Sequence, residues 1–152
     1  MKAIYLDTGV LGIVTHPKAG PESKECVKWL LAILEAGNKV CVPEICDYEL
    51  RREYNLNSSV NALKNLENLN SQVDYVPIDT KMIRRAAELW AQARRDGNST
   101  ADPKELDADV ILVAQALLSP KEEIGDRIVA TTNVGHLSRF IKADTWRNIQ
   151  PA

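Results

Sequence analysis

Short apolar runs are spaced along the chain between longer stretches of mixed polarity. Four runs are rich in strand-forming residues, and we predict β-strands over residues 3–6, 39–42, 73–78 and 127–131. The first run is apolar throughout, which suits a strand in a parallel sheet that is covered on both faces. The pattern leaves open whether residues 143–146 add a fifth strand.

The intervening stretches carry apolar residues at helical spacing. They predict a short helical turn and five helices, over residues 10–14, 22–36, 43–54, 60–69, 80–95 and 107–118, with a short helix or loop over 137–141. The polar segment 96–103 is the longest predicted loop. Alternating strands and helices indicate an α/β fold: a three-layer α/β/α sandwich with a mostly parallel central sheet, in a single domain over residues 1–152.

The composition is that of an ordinary globular protein, with 45% hydrophobic and 26% charged residues. The formal net charge is −2, so there is no global basic field, and a nucleic acid would have to bind a local patch. No apolar run approaches the ~20 residues that cross a bilayer, and Met1 leads into a strand rather than into a signal sequence. We therefore expect a cytoplasmic protein without a membrane partner.

The cysteines give no sign of a metal site or a disulfide framework. Cys26, Cys41 and Cys46 lack CxxC spacing, and His16 and His136 are the only histidines. Zinc ligation is therefore not expected. We expect buried free thiols in a reducing cytoplasm.

The first strand ends abruptly at an acidic residue. Asp7 follows the apolar run 3–6, and Thr8 and Gly9 can turn the chain. Parallel sheets bind ligands beyond the carboxyl ends of their strands, so Asp7 is a candidate site residue. The alternative is that Asp7 only caps the helix that begins near Gly9, and the remaining acids must decide between the two.

A second acid stands on a predicted apolar face. In the helix that opens at Pro43, Glu49 shares the side of the inward-pointing residues, whereas Asp47 lies ~200° away. Uncompensated burial of an acid is unfavourable, so Glu49 is a candidate for a site that binds a cation. The alternative is an exposed ion pair with Arg52.

The most apolar helix carries two acids near its start. Residues 110–114 are apolar all round, so both sides of this helix should be covered. Asp107 suits the N-cap, whereas Asp109 has less reason to stand in the first turn for stability alone. The two acids lie ~200° apart on a helix, so both can face one ion only if Asp107 precedes the helix. We take Asp109 as the candidate metal ligand and Asp107 as an outer or alternative ligand.

The fourth strand ends in hydroxyl and amide groups. Thr131 closes the strand, and Thr132 and Asn133 follow it. This polar end is similar in polarity to the end of the first strand, so Thr131 is a candidate polar support. For Asn133 this pattern alone favours a turn position before Gly135 over a role as a ligand.

Three of these acids come from distant segments of the chain: Asp7, Glu49 and Asp109. Converging carboxylates repel one another unless a divalent cation or a shared proton neutralises them. Ligands that are all oxygen suit Mg²⁺ or Mn²⁺, and such a site can carry out metal-assisted hydrolysis of a phosphodiester. No P-loop, GxGxxG motif or Ser-His-Asp set competes with this interpretation.

Four segments carry the candidate residues in order: YLDT with Asp7, VPEICDYELRRE with Glu49, DADVILVAQAL with Asp109, and VATTNVGHL with Thr131 and Asn133. No single segment is specific, but the four in this order and spacing are. Together they resemble the PIN domain, the Mg²⁺-dependent ribonuclease fold of the VapC-type toxins in bacterial toxin–antitoxin pairs. The resemblance covers nearly the whole chain.

The resemblance implies a catalytic site and partners. It implies a metal held by Asp7 and Asp109, in an acidic pocket that Glu49 and Asn133 complete. It also implies an RNA substrate, single-stranded or structured, a homodimer, and an antitoxin protein that blocks the cleft. Many relatives have Asp where this chain has Asn133, so the site here is one charge poorer and its metal affinity should be weaker.

We therefore predict a metal-dependent endoribonuclease that is the toxin of a type II toxin–antitoxin pair, with Arg51 and Arg52 beside Glu49 as the RNA contacts. Two alternatives stay open: a PIN nuclease that processes RNA without an antitoxin, and a catalytically silent PIN module that binds RNA or a partner. Dehalogenase-type phosphatases also begin with a strand that ends in Asp, but Gly9 stands where they need a second Asp. A receiver domain needs further acids and a later lysine, which we do not find.

Overall fold

The computed structural model describes residues 1–18, 20–97, 103–120 and 125–152. Within these residues, one parallel sheet has the strand order β3-β2-β1-β4-β5. The strands are β1 (Ala3–Leu6), β2 (Lys39–Pro43), β3 (Asp74–Val76), β4 (Arg127–Thr131) and β5 (Ala143–Thr145). The four predicted strands are confirmed, and the segment that the sequence left open forms the edge strand β5.

The described helices are α1 (Thr8–Thr15), α2 (Pro21–Glu35), α3 (Glu44–Leu56), α4 (Val60–Gln72), α5 (Thr80–Arg95), α6 (Pro103–Leu118) and α7 (Val134–Leu137), with a 3₁₀ helix at Trp146–Asn148. One predicted boundary is wrong: α6 begins at Pro103, a residue type favoured in the first turn of a helix, and not near Asp107. Most of the predicted loop 96–103 lies outside the described residues.

The connections between parallel strands place helices on both faces of the sheet. The chain moves from β1 through β2 to the edge strand β3, and then crosses back to β4 on the other side of β1. Right-handed crossovers put the helices of the return connection, α5 and α6, on the face opposite α1 to α4. The fold is therefore the α/β/α sandwich that the sequence predicts.

The central strand β1 has no solvent-exposed residue, and apolar side chains from both helical layers cover it. The cysteines are buried and free, as predicted. In the part of the chain that the structure describes, no helix combines the length and apolar character needed to cross a bilayer.

An arginine at the amino end of β4 ties the sheet to the end of α6. Arg127 Nη1 donates to the Tyr5 hydroxyl at 2.9 Å, to Ser119 Oγ at 2.8 Å and to the carbonyl of Ala116, while Nη2 donates to the Ser119 carbonyl at 2.9 Å. A cation at a helix C-terminus is favoured by the helix dipole, and these carbonyls have no partner within the helix. Arg127 thus fixes the position of α6 on the sheet.

We expect Arg127→Met to lower the free energy of unfolding by about 2–4 kcal/mol, because it leaves buried acceptors without a donor. Urea denaturation measures this change. The control is Arg85→Met, which removes an exposed ion pair with Glu88 and should change stability by less than about 0.5 kcal/mol. Equal losses in the two variants would contradict the capping role.

Candidate active site

A pocket of about 190 Å³ lies beyond the carboxyl ends of β1 and β4. Its lining residues are Asp7, Thr8, Glu49, Glu105, Ala108, Asp109, Leu112, Thr131, Asn133, His136 and Leu137. The structure thus brings together five side chains that the sequence singled out, from four separate segments. This is the position at which parallel sheets bind ligands.

Asp7 has two roles at once, as helix cap and as pocket wall. Its Oδ1 accepts the backbone N–H of Val10 at 2.8 Å and so caps α1. Its Oδ2 accepts the hydroxyl of Thr131 and the backbone N–H of Thr132 at 3.3 Å. Burial nevertheless raises the pKa of Asp7, since these hydrogen bonds only partly offset desolvation.

The close approach of β4 to α1 depends on a glycine. A Cβ atom on Gly9 would lie 2.7 Å from Thr132 Oγ1 and 3.2 Å from its Cγ2. A side chain at position 9 would therefore force the exposed Thr132 side chain to move. Gly9 thus lets the start of α1 lie close to Thr132 beside the site without a steric clash.

Glu49 stands in the second turn of α3, with its side chain 27% exposed. Its Oε1 accepts the hydroxyl of Thr8 at 2.8 Å, and its Oε2 lies 3.9 Å from Arg52 Nη2. Both alternatives from the sequence are realised: the carboxylate lines the pocket and also has an arginine neighbour. The hydroxyl of Thr8 fixes the direction in which the carboxylate points.

Asp47 corrects the predicted sidedness of α3, because it is more deeply buried than Glu49. Its carboxylate accepts hydrogen bonds from Arg51 Nε at 2.8 Å and from Asn70 Nδ2 at 2.8 Å, between α3 and α4. The predicted apolar face of α3 did not reveal that α4 covers the opposite side. Asp47 is thus a structural acid with its own cation.

Contacts with acids on this side of α3 hold one of the two predicted RNA-binding arginines away from the pocket. Arg51 also lies 2.6 Å from Glu67 on α4, so its guanidinium is held between two acids away from the pocket. Arg52 is 60% exposed and neighbours Glu49. Only Arg52 keeps the position that the sequence proposed for both.

One carboxylate oxygen of Asp109 lacks a hydrogen bond. Its Oδ2 is buried and has no hydrogen-bond partner within the described residues, and His136 Nδ1 lies 3.8 Å from it. Burial raises the pKa of Asp109 to about 6, with Glu49 and Glu105 adding to the shift and His136 opposing it. An oxygen in this state is a ready ligand for a cation.

Asp107 does not line this pocket, which corrects its assignment as an outer or alternative ligand. It borders a groove between α5 and α6 with Ile83, Trp90 and Ile111. Because α6 begins at Pro103, Asp107 lies within the helix, ~200° around the axis from Asp109. For the same reason it is not the N-cap.

Three polar lining residues were missed at the level of sequence: Thr8, Glu105 and His136. Glu105 was within reach, since it stands four residues before Asp109 and therefore shares its side of α6. His136 lies one helical turn after Asn133, and the Asn133 Nδ2 and His136 Nδ1 atoms are 3.2 Å apart. The hydroxyl of Thr8 left no signal, because its partner is 41 residues away.

The pocket fits a hard divalent cation by its donor chemistry. Four carboxylates and the Asn133 amide line it, and one buried carboxylate oxygen has no partner within the described residues. No group of three or more Asp, Glu, His or Cys side chains among those residues is already arranged as a metal site. A preformed cage is not required, because Mg²⁺ keeps several waters and binds through one or two carboxylates.

A family model of the PIN domain matches residues 4–133. The chain belongs to the PIN domain family. The match includes the first three segments that carry pocket residues and the fourth as far as Asn133, so the resemblance found in the sequence is confirmed at the level of the family. No curated protein matches the chain in sequence.

Solved structures of other proteins share the fold of this PIN domain. FitAcB from Neisseria gonorrhoeae aligns with 22% identity and a TM-score of 0.65, over 96% of this chain and 99% of the other. VapBC2 from Rickettsia felis, bound to a DNA fragment from its promoter, aligns with 16% identity and a TM-score of 0.64, over 95% and 98%. DNA-bound VapBC from Salmonella typhimurium aligns with 19% identity and a TM-score of 0.59, over 96% of this chain and 99% of the other.

In metal-free protein we expect Asp109 to titrate near pH 6 instead of the usual 3.8. Between these two values the folded protein keeps a proton that the unfolded chain has lost, so Asp109 increasingly destabilises the fold as pH rises through this window. Asp109→Asn should therefore raise the free energy of unfolding by about 2 kcal/mol at pH 7.5 and hardly change it at pH 3.5.

Urea denaturation in EDTA at the two pH values measures this effect. The matched control is Asp107→Asn, which changes the same residue type on the same helix outside the pocket. A gain for Asp109→Asn that is equal at both pH values would show that charge burial is not the cause.

Proposed function

We propose that this PIN domain is a metal-dependent endoribonuclease of the cytoplasm and serves as the toxin of a type II toxin–antitoxin pair. The observation that carries the proposal is the buried Oδ2 of Asp109, which has no hydrogen-bond partner within the described residues and lies in one pocket with Asp7 and Glu49. Membership of the PIN domain family supports a nuclease over other α/β enzymes.

The proposed ion is Mg²⁺ or Mn²⁺, held by Asp7 and Asp109, with Glu49 and the amide oxygen of Asn133 completing the pocket. When bound, such an ion supplies positive charge to a reacting phosphate and activates water for attack. Glu105 is a further oxygen donor at the rim that the structure adds to this set.

The chain's own residues prepare the pocket for this chemistry. The hydroxyls of Thr131 and Thr8 hold the carboxylates of Asp7 and Glu49, so these groups keep one orientation. Arg52 and His136 place cationic or polar nitrogen atoms beside the acids. A phosphodiester can thus approach acids that would otherwise repel it.

The partner part of the proposal rests on the surface and on the family. The groove between α5 and α6 leaves Ile83 44% and Trp90 36% exposed, and an apolar surface of this kind suits the proposed homodimer. The similarity to VapC-type toxins, and to solved structures named VapBC, supports an antitoxin as second partner. Asn133 favours the alternative of a catalytically silent module, since the site has one negative charge fewer than it would have with an aspartate at position 133.

The decisive experiment is Asp7→Asn. Asparagine is as good an N-cap as aspartate, so α1 should be retained while the charge is lost. We expect cleavage of single-stranded RNA by purified protein in Mn²⁺ to fall at least about 100-fold. Asp107→Asn, outside the pocket, should cleave like the parent, and undiminished cleavage by Asp7→Asn would reject the proposed site.

A second variant tests the missing charge at position 133. Asn133→Asp adds a carboxylate to the pocket, and we expect Mn²⁺ binding to tighten by about tenfold. Mn²⁺ affinity is measured by electron paramagnetic resonance titration, and Asn61→Asp on the exposed side of α4 is the control. An unchanged affinity for Asn133→Asp, together with a lost affinity for Asp7→Asn, would place position 133 outside the ion's reach.

A further inference from the structure

An exposed aromatic ring stands beside the acidic pocket. Tyr48 directly precedes Glu49 on α3, and the residue is 55% exposed. One turn later, the Cζ atom of Arg52 lies 5.3 Å from the centre of the Tyr48 ring. The same guanidinium has its Nη2 3.9 Å from Glu49 Oε2, so it contacts both the ring and a pocket carboxylate.

Protein stability does not explain this arrangement of ring, guanidinium and carboxylate. The ring is mostly in water, so it adds little to the core, and an exposed cation–π pair contributes well under 2 kcal/mol. A carboxylate pocket, however, repels a polyanion unless a cation is placed at its edge. Arg52 is that cation, and it holds an open aromatic surface next to itself.

Single-stranded nucleic acids are bound by this combination of groups. Arginine neutralises the phosphate backbone, and aromatic rings stack on bases that are not paired. We propose that Tyr48 and Arg52 form a base-stacking subsite for a nucleotide next to the scissile phosphate of single-stranded RNA. This subsite rests on the proposed function, because it assigns the direction from which RNA enters the pocket.

The chain contains a second pair with the same geometry, which serves as a matched control. Arg94 lies over the Trp90 ring at 5.4 Å, again one helical turn apart. Trp90 borders the α5–α6 groove with Ile83 and Ile111 instead of the acidic pocket. If an exposed ring with an arginine were enough to bind RNA, both pairs would contribute equally.

The test measures binding of a fluorescent single-stranded RNA dodecamer by anisotropy, in the full chain carrying Asp7→Asn so that no cleavage occurs. We expect Tyr48→Leu to weaken binding by about 5- to 30-fold, since stacking on one base is lost. Tyr48→Phe keeps the ring and should bind within about twofold of the parent. Arg94→Gln, which removes the cation of the second pair without changing a residue of the α5–α6 groove, should bind like the parent.

An RNA with one abasic nucleotide at each position in turn locates the stacked base without any change in the protein. With the abasic nucleotide at one position, the parent should lose the same factor in affinity that Tyr48→Leu loses with the intact RNA. The Tyr48→Leu protein should bind that abasic RNA as tightly as the intact RNA. This arm remains decisive if Tyr48→Leu does not fold. Because stacking tolerates any base, exchanging one base for another there should change binding by less than about threefold.

The outcomes separate this inference from the proposed function. If the parent without Asp7→Asn cleaves RNA but Tyr48→Leu binds as tightly as the parent, the subsite is wrong and the nuclease stands. If RNA binding depends on Tyr48 but no cleavage occurs in Mn²⁺, the subsite stands and the nuclease is wrong. A shift of Tyr48→Leu from dimer to monomer in light scattering would mark a subunit contact and overturn the subsite.

Discussion

Confining carboxylates at the edge of an apolar layer is the constraint on which this structure depends. β1 is wholly buried and leads directly to Asp7, so the sheet delivers a negative charge to a place with little water. Burial raises the pKa of both Asp7 and Asp109. Hydrogen bonds oppose the shift for Asp7, whereas Oδ2 of Asp109 has no hydrogen-bond partner within the described residues. A hard cation stabilises such a site, and the fold is therefore coupled to the proposed chemistry through a few oxygen atoms.

Helix α6 connects the amino ends of the strands, near Arg127, with the acidic pocket at their carboxyl ends. Its last turn is held by Arg127, whose guanidinium replaces the missing helical donors. Its first half carries Glu105 and Asp109 into the pocket. Because Arg127 anchors the last turn of α6, the helix also holds Glu105 and Asp109 in position at the carboxyl ends of the strands. The negative charges there repel one another.

Site residues can be predicted from the sequence where an acid interrupts an apolar pattern, but not where a polar residue fits the pattern around it. Asp7, Glu49 and Asp109 are visible because acids interrupt apolar runs, and the α/β class with a mostly parallel sheet follows from the alternation of short apolar runs and longer helices. The strand order is known only from the structure. Asp107 was misplaced because a helix start is predicted only to within several residues. Since α6 begins at Pro103, Asp107 lies inside the helix and ~200° around its axis from Asp109, instead of preceding the helix. Arg51 and Asp47 form an i,i+4 pair within α3. Their further partners, Glu67 and Asn70, lie on α4, and no pattern within α3 indicates that α4 covers this side.

The hydrogen bond between Asp7 and Thr131 joins residues that are 124 positions apart. During synthesis, the first carboxylate leaves the ribosome long before the hydroxyl that orients it. A prematurely terminated product that ends ahead of β4 lacks the neighbour of β1 as well as this hydroxyl, and so cannot assemble the pocket. The connectivity of the sheet therefore makes assembly of the pocket wait until β4 has been synthesised.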